Sequence, residues 1–158
     1  MMMKKNEGYH SVFIDLDETL YPKSNGVWKS ISTRINKFIV DSLQVSLEEA
    51  VGIRRRYLAR YGTTLMGLRV DYDIDPYEYL DFVHNIPLEG ILLPDPALRQ
   101  MLEKISATKI IFTNASTAHA SRILKHLEIE ELFDQVIDIV ALDFHNKPQP
   151  ESYRRALT

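Results

Sequence analysis

The sequence contains no cysteine. That excludes disulfides, thiolate metal sites and a cysteine nucleophile, and it fits a reducing compartment. No apolar run approaches the roughly 20 residues of a membrane-spanning helix. The N-terminal stretch Met1–Glu7 lacks the apolar core of a signal peptide. Charge of one sign is also scarce: 19 basic residues stand against 22 acidic ones, a formal net charge of −3. That balance gives no global attraction to a nucleic-acid polymer or an acidic membrane. Internal repeats and low-complexity tracts are missing too. These absences predict a cytoplasmic protein without nucleic-acid or membrane partners. What remains is ordinary globular material, 158 residues and 45% hydrophobic, enough for one compact core and a small appendage.

The richest stretch is Val12-Phe13-Ile14 running into Asp15-Leu16-Asp17-Glu18-Thr19-Leu20. The apolar run, β-branched and aromatic, reads as a short buried strand. Two carboxylates follow where that strand should end, and in an open α/β sheet ligands bind just outside the carboxyl ends of the strands. One carboxylate there can act as a nucleophile and the other as a proton donor and acceptor. Side by side they also suit Mg²⁺, a hard cation that prefers oxygen ligands. An acidic surface loop fits the pair equally well until the downstream signals are added.

Three strand candidates, Val12 to Leu16, Lys109 to Thr113 and Val136 to Leu142, alternate with helical material. That order predicts an α/β fold with a parallel sheet. The segment after the first strand is too long for one crossover helix. Val27, Ile31, Ile35, Phe38 and Ile39 share one face of a helix beginning near Asn25. Ser46-Leu47-Glu48-Glu49 is a capping box for a second helix reaching Tyr61, with Gly62 placed to end it. Asp75-Pro76 offers a cap and a first-turn proline for a short helix to about His84. Residues 24–86 therefore read as an all-helical insertion, with 9–23 and 87–158 forming the α/β core. Asp95-Pro96 opens a further helix to about Ile105, and Ser116 or Thr117 caps another with Ile123, Leu124 and Leu127 as its apolar positions.

Two more polar clusters sit at strand ends. Thr113-Asn114-Ala115-Ser116 brings a hydroxyl, a side-chain amide and the free N–H groups of a helix start together, which suits a phosphate. Thr and Asn are also common there as turns and caps. His145-Asn146-Lys147-Pro148-Gln149-Pro150 is a turn stiffened by its prolines, with Pro148 biasing Lys147 toward an extended backbone. A lysine held at that edge can neutralise a phosphate and a nearby carboxylate, although most lysines are simply solvated.

An Asp-x-Asp-x-Thr, a Thr-Asn and a Lys-Pro-x-Pro, in this order after successive strands, resemble the haloacid dehalogenase-like phosphohydrolases across nearly the whole chain. The resemblance implies a Rossmannoid three-layer core with a helical cap inserted at 24–86. It implies that Asp15 attacks phosphorus to form an aspartyl-phosphate, and that Asp17 protonates the leaving oxygen and then activates water. Thr113, Asn114 and Lys147 would bind the phosphoryl oxygens. Mg²⁺ would be held by Asp15 and Asp17, the latter through its carbonyl. Dehalogenation is disfavoured, because relatives with that activity usually lack an aspartate where Asp17 stands. Tyr21-Pro22-Lys23-Ser24-Asn25-Gly26, Tyr61-Gly62-Thr63-Thr64-Leu65-Met66-Gly67-Leu68 and Phe112-Thr113-Asn114-Ala115 with His119-Ala120 look like the pyrimidine 5′-nucleotidase-like branch. The substrate implied is a small phosphorylated metabolite, a nucleoside monophosphate.

The family's fourth motif, a later strand bearing further Mg²⁺ carboxylates, is not found before Thr158. The expectation is a core incomplete at its C-terminus. The first strand would then lie at an exposed apolar edge, which predicts self-association. The alternative function is a non-catalytic phosphate- or partner-binding fragment. A phosphonate-cleaving relative would need a cap lysine, and only Lys29 and Lys37 lie there, without a desolvating context. Of the remaining residues, Arg54-Arg55-Arg56 lie in a cap helix where they could face an anionic substrate, but a solvated helix face is the favoured reading; Asp71, Asp73 and Asp75 read as a loop and a helix cap. His119, in the helix after Thr113-Asn114, could approach the substrate but is read first as structural or exposed, and Trp28 as packing between insertion and core.

Overall fold

The computed structural model describes residues 9–158; the stretch Met1–Glu7, read above for a leader, lies outside them. Three short strands, β1 (Ser11–Ile14), β2 (Thr108–Phe112) and β3 (Gln135–Ile137), form a parallel sheet in the order β1-β2-β3. Ile14 pairs with Ile111, and Ile111 with Val136. β1 is therefore an edge strand among the described residues. The fold is α/β, as the alternation of strand and helix signals predicts.

Four helices lie between β1 and β2: α1 (Val27–Leu43), α2 (Leu47–Tyr61), α3 (Thr64–Tyr72) and α4 (Pro76–His84). The buried residues of α1 are Val27, Ile31, Ile35, Phe38 and Ile39, the stripe read from the sequence. Fully burying such a side chain is worth about 1.5–3 kcal/mol. Phe38 also meets Tyr79 and Phe82 of α4 edge-on, at 5.1 and 5.4 Å between ring centroids. α2 carries the expected capping box: Ser46 Oγ accepts from Glu49 N, and Glu49 accepts from Ser46 N. Gly62 ends it with φ at 81°, a left-handed conformation open to glycine. Asp75 caps α4 with Pro76 in its first turn.

The helix α3 departs from the expected loop. Thr63 caps it by accepting from Met66 N, and Thr64, Leu65, Gly67 and Leu68 are buried along it. Asp71 thus lies in a helix, Asp73 is its left-handed C-cap and Asp75 is the cap of the next helix. A nine-residue helix is marginal by itself. Packing decides it here: Gly67 sits against the Tyr57 ring of α2 so closely that a Cβ would lie 2.1 Å from a ring carbon.

The remaining helices are α5 (Pro96–Glu103), α6 (Thr117–His126) and α7 (Pro150–Ala156). Ser116 caps α6, whose Ile123 and Leu124 are buried. One apolar cluster runs from Leu16 through α1, α2 and α4 to α6, and a smaller one, Ile110, Phe112, Ile137 and Leu142, forms separately.

The third strand is shorter than expected, ending at Ile137 rather than Leu142. Asp138 ends it. Its carboxylate accepts from Ala141 N, Thr117 N and Thr117 Oγ1, each at 2.8 Å, and its carbonyl accepts from Leu142 N. The chain is drawn into turns, with Asp143 and Phe144 at φ of 51° and 61°. Among the described residues, no helix is long and apolar enough to cross a membrane.

Candidate active site

Asp15 leaves β1 at its carboxyl end, and the chain turns at once. Thr19 N and Leu20 N both donate to the Leu16 carbonyl, at 3.2 and 3.0 Å, and the Leu16 side chain is fully buried. Glu18 adopts φ of 59° inside this turn. With Leu16 anchored in the core, the carboxylates on either side of it project from the strand end. Asp15 remains about half exposed, and its Oδ2 accepts from Thr19 Oγ1 at 3.2 Å.

Lys147 reaches this carboxylate from a loop 132 residues away in sequence: its Nζ donates to Asp15 Oδ1 at 2.8 Å. The ammonium also donates to the Phe112 carbonyl and lies 4.9 Å from the centre of the Phe112 ring. Asn114 holds the loop's backbone. Its Oδ1 accepts from Lys147 N at 2.8 Å, and its Nδ2 donates to Lys147 O at 3.2 Å. Both ends of the Asn114 amide are thus engaged on Lys147, and the second Nδ2 hydrogen remains for the phosphate expected there. Thr113 is buried, its N–H donates to Ile137 O at 3.0 Å, and its hydroxyl accepts from Ala115 N at 3.0 Å. The same hydroxyl keeps a proton to donate. Asn146, fully buried, packs against Gly62, where a Cβ would lie 2.7 Å from its Nδ2. The Lys147 loop is therefore pressed against the end of α2.

Asp17 has a different setting. His119 Nε2 lies 2.9 Å from Asp17 Oδ1, and the Tyr21 hydroxyl donates to the same oxygen at 2.5 Å. Burial pushes the Asp17 carboxyl up, but the hydrogen bond and charge of His119, with the Tyr21 hydroxyl, more than reverse this. Its pKa falls below the usual carboxylate value. Burial and the Asp17 charge raise the Tyr21 phenol in return, so it stays a neutral donor. The His119 ring is fully buried and stacks on His84 at 4.3 Å between centroids, 16° from parallel. Burial first, and the charge of His119 second, push His84 down to about 3, so that it is neutral at ordinary pH. Its Nδ1 lies 3.3 Å from Ser116 Oγ, the α6 cap.

A cavity of about 200 Å³ opens beside Asp17. Asp17, Asn114 and Ala115 line it on the sheet side. Trp28, Arg54 and Tyr79 line it on the helical side, with apolar residues between. The sequence favours a solvated face for Arg54 together with Arg55 and Arg56. The latter two are exposed, but Arg54 is turned inward and donates to Ser32 O at 3.2 Å and to Ser32 Oγ.

Sequence reasoning weighs His119 and Arg54 at the site but favours structural or solvated roles for both, and it does not reveal that Tyr21 and His119 bind the Asp17 carboxylate. A signal for His119 existed. It stands in the first turn of a helix that starts directly after Thr113-Asn114, and that turn faces the strand ends by construction. No local pattern marks Arg54 apart from its two neighbours.

For Mg²⁺ the donors are hard oxygens. Asp15 offers a half-exposed carboxylate. The turn's hydrogen bonds both go to the Leu16 carbonyl and leave the Asp17 carbonyl out. Among the described residues, no group of three or more carboxylate, histidine or cysteine side chains is arranged to hold a metal alone. Mg²⁺ typically takes one or two carboxylates, several waters and a substrate phosphate. The residues present fit that shared kind of site.

The family description of haloacid dehalogenase-like hydrolases matches residues 9–158. Phosphate metabolism protein 8 of Saccharomyces cerevisiae is 30% identical over 158 positions, covering 91% of this chain and 49% of that protein. The chain spans about half the length of that curated relative. Among solved structures, L-2-haloacid dehalogenase from Xanthobacter autotrophicus is similar with a TM-score of 0.45 at 16% identity, over 93% of this chain and 63% of that one. A candidate phosphatase from Clostridium difficile gives 0.42 at 19% identity, over 84% and 62%. The chain belongs to the haloacid dehalogenase-like hydrolases.

Proposed function

We infer that this haloacid dehalogenase-like hydrolase is a Mg²⁺-dependent phosphohydrolase of small phosphate monoesters, with nucleoside 5′-monophosphates, pyrimidine ones first, as substrates. The observation that carries the reading is the 2.8 Å contact of Lys147 Nζ with Asp15 Oδ1 at the carboxyl end of the sheet. It sets a half-exposed anion and a fixed cation where a phosphoryl group can meet both. The name of the yeast relative, which places that protein in phosphate metabolism, agrees with a phosphorylated substrate.

Asp15 attacks phosphorus through a carboxylate oxygen, and the bond from phosphorus to the leaving oxygen breaks. A carboxylate is already anionic at neutral pH, so no base is needed to activate it. Asp17 gives its proton to the leaving oxygen. It then takes a proton from the water that attacks the phosphorus of the aspartyl-phosphate, which releases inorganic phosphate and restores Asp15. To donate, Asp17 must first be protonated, against the low pKa that His119 and Tyr21 give it. A bound phosphate dianion acts in the opposite direction, since a nearby like charge raises a carboxyl's pKa. Lys147 and the Thr113 hydroxyl stabilise the phosphoryl oxygens, and Asn114 keeps Lys147 in place through its backbone. The Asp15 carboxylate and Asp17 carbonyl would hold Mg²⁺, which supplies positive charge against the repulsion between Asp15 and the phosphate.

The test is phosphate release from UMP and CMP with and without Mg²⁺. The expected result is release that requires Mg²⁺ and falls at least about 10³-fold in Asp15→Asn, the order of loss seen when a nucleophile is removed. Release that survives Asp15→Asn overturns the mechanism. Binding of these nucleotides without release from either protein supports instead the non-catalytic phosphate-binding reading.

A further inference from the structure

Asp17 is held by one oxygen. Oδ1 accepts from the Tyr21 hydroxyl of the same turn and lies 2.9 Å from His119 Nε2 of α6. No donor reaches Oδ2 among the described residues. The side chain is 18% exposed and lines the cavity, so Oδ2 is the oxygen left to meet a ligand. The His119 ring is itself fixed. It stacks on His84, its backbone N–H donates to Ser116 Oγ at 3.3 Å, and that Oγ lies 3.3 Å from His84 Nδ1. One turn further along α6, Arg122 donates to the carbonyls of His84 and Ile86, which fastens this helix to the end of α4. His119 Nδ1 is shut off from solvent and has no partner among the described residues. A buried polar atom without a partner is costly. A leucine would fill the space without that cost, so packing alone does not account for a histidine here.

We propose that His119 is a positioning residue: with Tyr21 it fixes Asp17 by Oδ1, so that Oδ2 exchanges the proton with the leaving oxygen and the attacking water. The inference rests on the phosphohydrolase reading above. Asp17 meets the leaving oxygen and lines the cavity, so the leaving group extends into the cavity while the phosphoryl group stays at Asp15. In the first step an Asp15 oxygen bonds to phosphorus, the bond from phosphorus to the leaving oxygen breaks, and the Oδ2 proton passes to that oxygen. In the second, the water oxygen bonds to phosphorus, the bond from phosphorus to Asp15 breaks, and a water proton returns to Oδ2. Oδ1 takes no part in either transfer. With two lone pairs it accepts from both donors as a carboxylate oxygen, and equally as the carbonyl oxygen of the acid. The same contacts therefore serve both steps. Without them the carboxyl would turn about its terminal torsion, which has broad wells. Misplacing a reacting group by about 1 Å costs on the order of 10²-fold in rate.

The experiment compares phosphate release from UMP and ribose 5-phosphate, whose alkoxide oxygens need a proton to leave, with release from p-nitrophenyl phosphate, whose phenolate leaves without one. The proteins are the unaltered chain, His119→Leu, His119→Gln and Tyr21→Phe. kcat/KM covers the steps through loss of the leaving group, so it isolates the proton that Asp17 delivers. His119→Leu should lower kcat/KM for the two sugar phosphates about 10²-fold and for p-nitrophenyl phosphate less than about fivefold. His119→Gln, which returns an N–H near the place of Nε2, should recover the sugar phosphates to within about tenfold of the unaltered chain. Tyr21→Phe, one donor fewer, should lose about tenfold on the sugar phosphates alone, and it carries the test if the leucine variant does not fold. An equal loss on all three compounds, as damage to the fold around His119 would give, overturns the inference and leaves the hydrolase reading standing. Unchanged rates on the sugar phosphates in His119→Leu and Tyr21→Phe do the same. Phosphate release from none of the compounds by the unaltered chain overturns the hydrolase reading and the inference with it.

Discussion

Asp15 and Asp17 are two residues apart, and each meets a basic side chain, yet the two pairs are built in opposite ways. Asp15 stands half exposed at the sheet's open end, facing a lysine delivered by a loop. Asp17 faces a fully buried histidine, its Oδ1 also accepts from a tyrosine hydroxyl, and the histidine stacks on a second one. Although Lys147 itself is only 17% exposed, the exposure of Asp15 keeps the ionic contribution of the first pair to stability small. What it retains is access: a phosphate can enter between Asp15 and Lys147 without displacing core. The second pair is part of the packing, and its protonation state is tied to whether the molecule stays folded. One strand end thus carries a group free to react and a group held in a set ionisation state.

The largest separation of the two regions should come from Lys147→Met. On the reading above it removes a cation from the developing phosphoryl charge, and the loss of phosphate release should be about 10²–10³-fold. The unfolding midpoint in urea should fall by less than the activity implies: half-exposed Asp15 can turn to water, and the loss is confined to the donor that the Phe112 carbonyl gives up. A large drop in stability with little change in turnover would invert the comparison and make Lys147 a structural residue.

The buried region should answer to pH instead. His84 has a folded pKa of about 3 against an ordinary 6.5, so the unfolded chain binds a proton that the folded chain refuses. The sign follows: this contribution to stability is fully present above pH 6.5 and is lost as pH falls toward 3. The slope is about 1.4 kcal/mol per pH unit at most, or about 3 kcal/mol by pH 4. Asp17, with a lowered pKa, adds a loss of the same sign further into acid, below its unfolded value of 3.8. Urea unfolding at pH 7, 5.5 and 4 checks this, with His84→Gln as the control in which the upper part of the slope disappears. An unchanged slope in that variant would assign the acid sensitivity to other groups.

The two regions also differed in how far the sequence disclosed them. Asp15, Thr113, Asn114 and Lys147 were each visible, because a strand end followed by a polar turn is a local pattern and the sheet brings such ends together. Their division of labour was not visible: nothing in Thr113-Asn114 says that the amide will be taken by the Lys147 backbone. The capping box of α2 was readable since it spans only four residues, Ser46 to Glu49. The inward turn of Arg54 was not, since its neighbours carry the same charge and only the docking of α1 selects among them. His119 needed the relation of α6 to the β1 turn, a contact across 102 residues. The length of β3 depended on Asp138 capturing the N–H groups of Thr117 and Ala141. Local hydrogen-bond patterns were thus legible, and choices made by packing were not.

Gly67 offers the smallest effect and a test of that last distinction. Within a helix, alanine is favoured over glycine by up to about 1 kcal/mol, so local propensity alone says that Gly67→Ala stabilises α3. Packing says the reverse, because the new Cβ would lie 2.1 Å from one carbon of the Tyr57 ring and 2.5 Å from two others. The ring is buried between α2 and α3 and must shift for the methyl to enter. The expected net result is a loss of about 2 kcal/mol, the usual scale for overpacking, read as a lower urea midpoint. α2 carries Arg54 and α3 begins with cavity-lining Thr64, Leu65 and Met66, so the shift should be felt in the cavity before it is felt at Asp15. Discrimination between UMP and ribose 5-phosphate should therefore decline more than the rate on ribose 5-phosphate itself. If Gly67→Ala raises stability instead, α3 is held by its own propensity and cap, and the helical wall of the cavity is as locally encoded as the strand ends.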